Sequence, residues 1–144
     1  SPYQTSRNIA EDLKFIESFS PEMCGIGPFV PHKDTKFKNE NHGDVSLVLM
    51  LLSIIRLLKP NILLPATTAL GTVDPLGREK GILHGANVVM PNLSPVKHRK
   101  DYSLYDNKIC TGDEAAQCIG CLADRMKKIG CEIVTDRGDY KADI

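Results

Sequence analysis

Three cysteines carry the sharpest chemical signal in this chain. Cys110, Cys118 and Cys121 follow the spacing C-x7-C-x2-C. Thiolates are the donors iron-sulfur clusters take, and three of them with one open position would suit such a cluster. Cys118 and Cys121 stand three residues apart in a helical stretch, which predicts both thiols on one side. Cys110 precedes that helix and would fold back toward them. The same residues also read as three ordinary cysteines on a surface helix. The remaining two of the five cysteines, Cys24 and Cys131, lie in or beside apolar runs, where a free thiol acts as a small hydrophobe. The first residues, Ser1-Pro2-Tyr3-Gln4-Thr5, show no charged-then-apolar signal pattern, so a disulfide framework is the weaker reading.

Other polar residues sit where short apolar runs end. Thr67 and Thr68 follow one such run, and their hydroxyls would donate to a carboxylate or cap the departing chain. Ser94-Pro95 caps a short helix whose first N–H groups form an anion site, with Lys97, His98, Arg99 and Lys100 read as a solvated basic face. His32 and Asp34 resemble a metal pair in isolation, but the spacing reads better as a hydrogen bond within a loop.

The elements that must position these residues follow from periodicity. Thr5 caps a helix over residues 6–18, with Ile9, Leu13 and Ile16 on one face. Asp44 caps a second over 45–58 that is apolar nearly all round and therefore predicted to be buried on most faces. Asp74-Pro75 opens a third, closed by Gly85 in a left-handed conformation. A short basic helix covers 96–100, and a last one runs from about residue 113 to 129. Between them lie apolar strands at 23–26, 62–64 (broken by Pro65) and 86–90, and a short edge strand at 132–135. Alternation of helices with strands apolar on both faces predicts an α/β fold with a parallel sheet. Either an open doubly wound sheet or part of a (β/α)8 barrel satisfies this pattern. In both, chemistry belongs at the C-terminal ends of the strands. Three strands leave a buried-type edge unpaired, so the chain is expected to be the C-terminal piece of a longer protein.

Composition narrows the function classes. The chain has 144 residues, 42% of them hydrophobic and 25% charged, and its 18 basic and 18 acidic residues cancel. A neutral chain offers no global field for nucleic acid or an anionic membrane. The apolar stretch 45–58 is interrupted by Ser53 and Arg56 and is too short to span a bilayer. No nucleic-acid or membrane partner is expected.

Four stretches resemble the radical S-adenosylmethionine (SAM) enzymes of the branch that includes biotin synthase, and within it the FeFe-hydrogenase maturases. They are residues 21–32 (PEMCGIGPFVPH), 64–72 (LPATTALGT), 81–95 (GILHGANVVMPNLSP) and 105–110 (YDNKIC). The resemblance covers essentially the whole chain. It implies the last three strands of a TIM-type barrel over residues 1–109 and a C-terminal helical extension with the three-cysteine motif over 110–144. It implies a cytoplasmic enzyme that reductively cleaves SAM at a 4Fe-4S cluster. A small iron- or cysteine-containing substrate is acted on while a diiron subcluster is assembled. The N-terminal remainder of the barrel and other maturation proteins are the implied partners.

Residue by residue, the resemblance assigns Val30, Tyr102 and Leu104 to SAM. Met23, Thr67, Thr68 and Met90 are assigned to substrate. Cys110, Cys118 and Cys121 would hold an accessory cluster that some members carry and others lack. No residue here is assigned a catalytic role. The family's cluster motif, C-x3-C-x2-C, does not occur in these residues, so the radical-generating cluster is expected outside this chain, which alone would be inactive. Lys36 stands where Pro is expected after Asp34-Thr35. Two other readings are a biotin synthase or methylornithine synthase relative, against which residues 65–72 and 82–95 argue, and a stand-alone iron-sulfur-binding module.

Overall fold

The computed structural model describes residues 1–99, 101, 104–107, 109, 115–134 and 137–141. Its elements run α1 (Ser6–Phe19), α2 (Val45–Leu58), β1 (Pro65–Ala66), α3 (Thr68–Val73), α4 (Gly77–Leu83), β2 (Val88–Val89), α5 (Val96–Arg99) and α6 (Ala115–Lys128). This mixture of helix and parallel strand fits an α/β fold. β1 and β2 pair in parallel, Pro65 with Val88 and Ala66 with Val89. A third segment joins them through a parallel bridge between Met23 and Leu63. The strand segments therefore lie side by side in chain order, with helices crossing between them.

The strands are shorter than the apolar runs predict. Residues 23–26 contribute a single bridge, and the ladder at the second run lies at Pro65–Ala66, one step past the expected stop. Pro65 heads the strand rather than breaking it, a position where its missing N–H costs no ladder bond. Residues 132–134, the described part of the expected edge strand, form no strand.

α1 and α2 begin where side chains meet their free N–H groups. Thr5 and Asn8 form a reciprocal capping box at α1, and Asp44 accepts from the Ser46 N–H at α2. Periodicity predicts no helix between the second strand and Asp74, yet α3 forms there. It is one short helical run, with the Thr72 hydroxyl donating back to the Thr68 carbonyl.

The core is built from α2, the strands and α3. Val48, Leu49, Leu52 and Ile55 meet Ile62, Leu64, Ala66, Leu70 and Ala86. Alternation along 62–66 explains this: even-numbered residues face the helices, odd-numbered ones the other way. α2 is buried on one side only, with Met50 51% and Leu57 81% exposed, contrary to the expectation of burial on most faces. Among the described residues only that side has elements packed against it. Gly85 has φ +106°, as its place after the third helix required.

Candidate functional site

The register of the sheet decides which side chains share a face. Ala66 and Val89 are partners, and both pack on the helix side. Val88 and, two residues on, Met90 then lie on the opposite face, as do Leu63 and its bridge partner Met23. Met23 and Met90 are 48% and 50% exposed, so that face is open. They are not at one level. Met23 pairs near the start of the strands, whereas Met90 is level with Thr67 at their exit, about 13 Å further on at 3.3 Å per residue.

Thr67 and Thr68 stand at the C-terminal end of β1, as N-cap and first residue of α3. The Thr67 side chain makes no cap bond, and its Oγ1 is buried without a hydrogen-bond partner. It lies against the backbone of Gly27, where an added Cβ would come 2.7 Å from that oxygen. A buried hydroxyl left unpaired costs about 1–3 kcal/mol. Thr68 differs. Its Oγ1 accepts from the Nη2 of Arg78, a residue of α4 that is 2% exposed, at 3.4 Å.

Above the strand ends, two loops are joined. Val30 is buried, with 9% exposure, and Leu104 is 75% exposed. Between them, the Asp106 N–H donates to the Pro31 carbonyl at 3.2 Å, and the Asp106 carboxylate accepts from the Lys33 N–H at 2.9 Å. The Asp34 N–H donates to His32 Nδ1 at 3.1 Å, the loop hydrogen bond expected from that spacing. Ile109 reaches α3, where an added Cβ on Gly71 would meet its side chain at 2.8 Å. Asp106 stands within the stretch 105–110 that carries the resemblance, but its residue type and spacing alone point to no role. Tyr102 lies outside the described residues.

The cysteine motif is only partly described. Cys110 lies outside the described residues. Cys118 is 2% exposed and forms a buried stripe with Leu122 and Met126, whereas Cys121 is exposed. The expected shared face is therefore split. Positions i, i+4 and i+8 turn inward, and i+3 falls beside that stripe. Among the described residues no three His, Cys, Asp or Glu side chains gather for a metal ion. Arg99 also departs from expectation. It is 3% exposed, donating to the Asn92 and Ser94 carbonyls, and so is no part of a solvated basic face.

α6 is pinned beside this end of the fold. Arg125 grips the Glu79 carboxylate with two donors, Nη2 to Oε2 at 2.6 Å, and also donates to the Pro75 carbonyl. Burial pushes the Glu79 carboxyl upward, but Arg125, a backbone hydrogen bond and the nearby Arg78 charge together outweigh it and hold the group below its ordinary value.

No protein-family model matches the chain. It is 41% identical over 140 residues to the [FeFe] hydrogenase maturase subunit HydE of Thermotoga maritima. The match takes in 97% of this chain and 40% of HydE, so the chain spans about two fifths of that relative's length. Among the described residues no helix is long and apolar enough to cross a membrane.

Proposed function

The chain is a relative of the maturase HydE across nearly its whole length, and from that premise we propose that it forms the C-terminal part of a radical SAM enzyme of hydrogenase maturation. In this reading its parallel strand segments are an arc of a (β/α)8 barrel, and the face bearing Met23 and Met90 is the barrel interior. The observation that carries the reading is the 41% identity over 97% of the chain. The strand ends support it, since the threonines, Met90 and the joined loops all meet at the C-terminal edge where barrel enzymes place their chemistry.

Each element has a part. Val30 supplies a dry apolar wall and Leu104 an uncovered apolar side chain, which suit the purine and aliphatic portions of SAM; Tyr102 is assigned with them. Thr67 and Thr68 face the substrate. With Arg78 donating to its oxygen, the Thr68 hydroxyl keeps its own hydrogen for an acceptor such as a carboxylate or cyanide. Met23 and Met90 give the cavity polarizable walls. A 4Fe-4S cluster bound in the complete enzyme supplies the electron that cleaves SAM reductively; its cysteine motif is not in these residues. The substrate is small and carries iron or cysteine, and cytoplasmic partners include other maturation proteins.

The three-cysteine motif is assigned an accessory cluster, which requires the Cys118 sulfur to leave its buried stripe. Anaerobic reconstitution of the complete protein with iron and sulfide tests this assignment. Equal iron uptake by wild type and the Cys118→Ala, Cys121→Ala double variant would remove it. The enzymatic reading is tested on the same preparation by 5′-deoxyadenosine formation from SAM and by restoration of hydrogenase activity in a maturase-deficient host. Failure of both overturns it.

A further inference from the structure

We propose that Asp106 is a positioning residue for SAM, locking the Leu104 segment onto the loop that carries Val30; the inference rests on the reading above that these two segments contact SAM. Asp106 is 75 residues from Pro31 in sequence yet bonds to that loop twice, in opposite senses. Its N–H donates to the Pro31 carbonyl at 3.2 Å, and its Oδ2 accepts from the Lys33 N–H at 2.9 Å. Two bonds of opposite polarity fix sliding as well as separation, and an ionised acceptor makes the second the stronger.

The loop is built to receive it. Its own turn spends the neighbouring groups internally: Thr35 donates to the His32 carbonyl through both N–H and hydroxyl, and the Asp34 N–H goes to His32 Nδ1. The Lys33 N–H is left for the carboxylate. On the other flank the Phe29 carbonyl accepts from the Gly43 N–H, so Val30 sits between two anchored points. On the Asp106 side, the next residue, Asn107, takes φ +57°. Asparagine tolerates that left-handed conformation better than other non-glycine residues.

The consequence is geometric. Val30 is one residue before Pro31, and Leu104 two before Asp106. Without the clamp, both remain present but the gap between them is unset, and each binding event must order it. The loss then falls on SAM affinity rather than on the chemical step.

The test uses the complete, reconstituted enzyme and SAM itself, with binding measured by equilibrium dialysis and turnover by 5′-deoxyadenosine. Asp106→Ala is expected to weaken SAM binding about tenfold, the equivalent of one charge-assisted hydrogen bond, with kcat at saturating SAM within about twofold. Asp106→Asn keeps an accepting oxygen in place and is expected to recover most of that affinity. Unchanged affinity in Asp106→Ala overturns the proposal, as does a fall in kcat without a fall in affinity, or an Asn variant as weak as Ala. A wild-type enzyme that binds no SAM overturns the reading beneath it instead. Should Asp106→Ala not fold, hydrogen exchange decides. The Lys33 amide is expected to be protected in SAM-free wild type, and exchange as fast as an unbonded loop amide would sink the clamp.

Discussion

Thr67 and Gly27 state the problem of this site in one contact. The hydroxyl is buried and unpaired, packed against a residue that has no side chain to hold it off. Two substitutions separate the structural and functional sides of that contact. Thr67→Val keeps the shape and removes the unsatisfied oxygen, so the melting temperature of the complete enzyme is expected to hold or rise. If the hydroxyl turns onto substrate, maturation activity falls at least tenfold in the same variant. A stable, fully active Val variant would remove Thr67 from the substrate residues. Gly27→Ala inserts a methyl where only 2.7 Å is open. It is expected to cost about 1–3 kcal/mol in denaturant titration, the usual penalty of overpacking.

At the scale of elements, two junctions hold the helices to the strands. Gly85 joins α4 to β2 at φ +106°, with its carbonyl accepting from Arg56 Nε at 2.8 Å. A Cβ there would strike Arg56 at 2.8 Å. Gly85→Ala is therefore expected to destabilise by at least about 1–2 kcal/mol, since strain and clash add. The second junction is Arg125 with Glu79. Arg125→Ala strands a largely buried carboxylate and is expected to cost about 2–3 kcal/mol, below the ~3–5 of a fully buried pair because Arg125 keeps some exposure. Its pH dependence has a definite sign. Glu79 titrates below its ordinary 4.5 in the folded protein, so the stabilisation is complete above that value. It fades as pH falls through the lower folded one. Urea midpoints followed downward from pH 7 should lose this component in acid for wild type. Glu79→Gln should show a flatter acid limb, and identical limbs would contradict the assignment.

At the scale of the whole molecule, the two outer strand segments each have only one strand neighbour among the described residues, and hydrophobic surface lies beside both. A cavity of about 510 Å3 opens between α1, α2 and residues 25–29, and another of about 620 Å3 runs from Met23 and Val88 to residues 131–134. Phe15 and Phe19 stack on the exposed side of α1, and half of Met50 is open. Unpaired strand edges and uncovered apolar faces drive association. The chain expressed by itself is expected to self-associate, which light scattering or sedimentation would show. Co-expression with the matching upstream part of a HydE-type protein is expected to yield a soluble complex. A monodisperse, cooperatively melting monomer would argue against the barrel-arc reading.

The local chemistry of these residues determined much by itself. Caps at Thr5 and Asp44, the break after Leu58 and the positive φ at Gly85 depend on neighbours a few residues away, so they were legible in the sequence. The threonine pair and Met90 at strand ends were legible for the same reason. Three things were not: the level of Met23 relative to Met90, the burial of Cys118 away from Cys121, and the clamp from Asp106 to Lys33. The first is set by sheet register and the second by which face of α6 finds a neighbour. The third joins residues 73 apart, and nothing in a one-dimensional pattern encodes a hydrogen bond whose two ends meet only when the chain has folded.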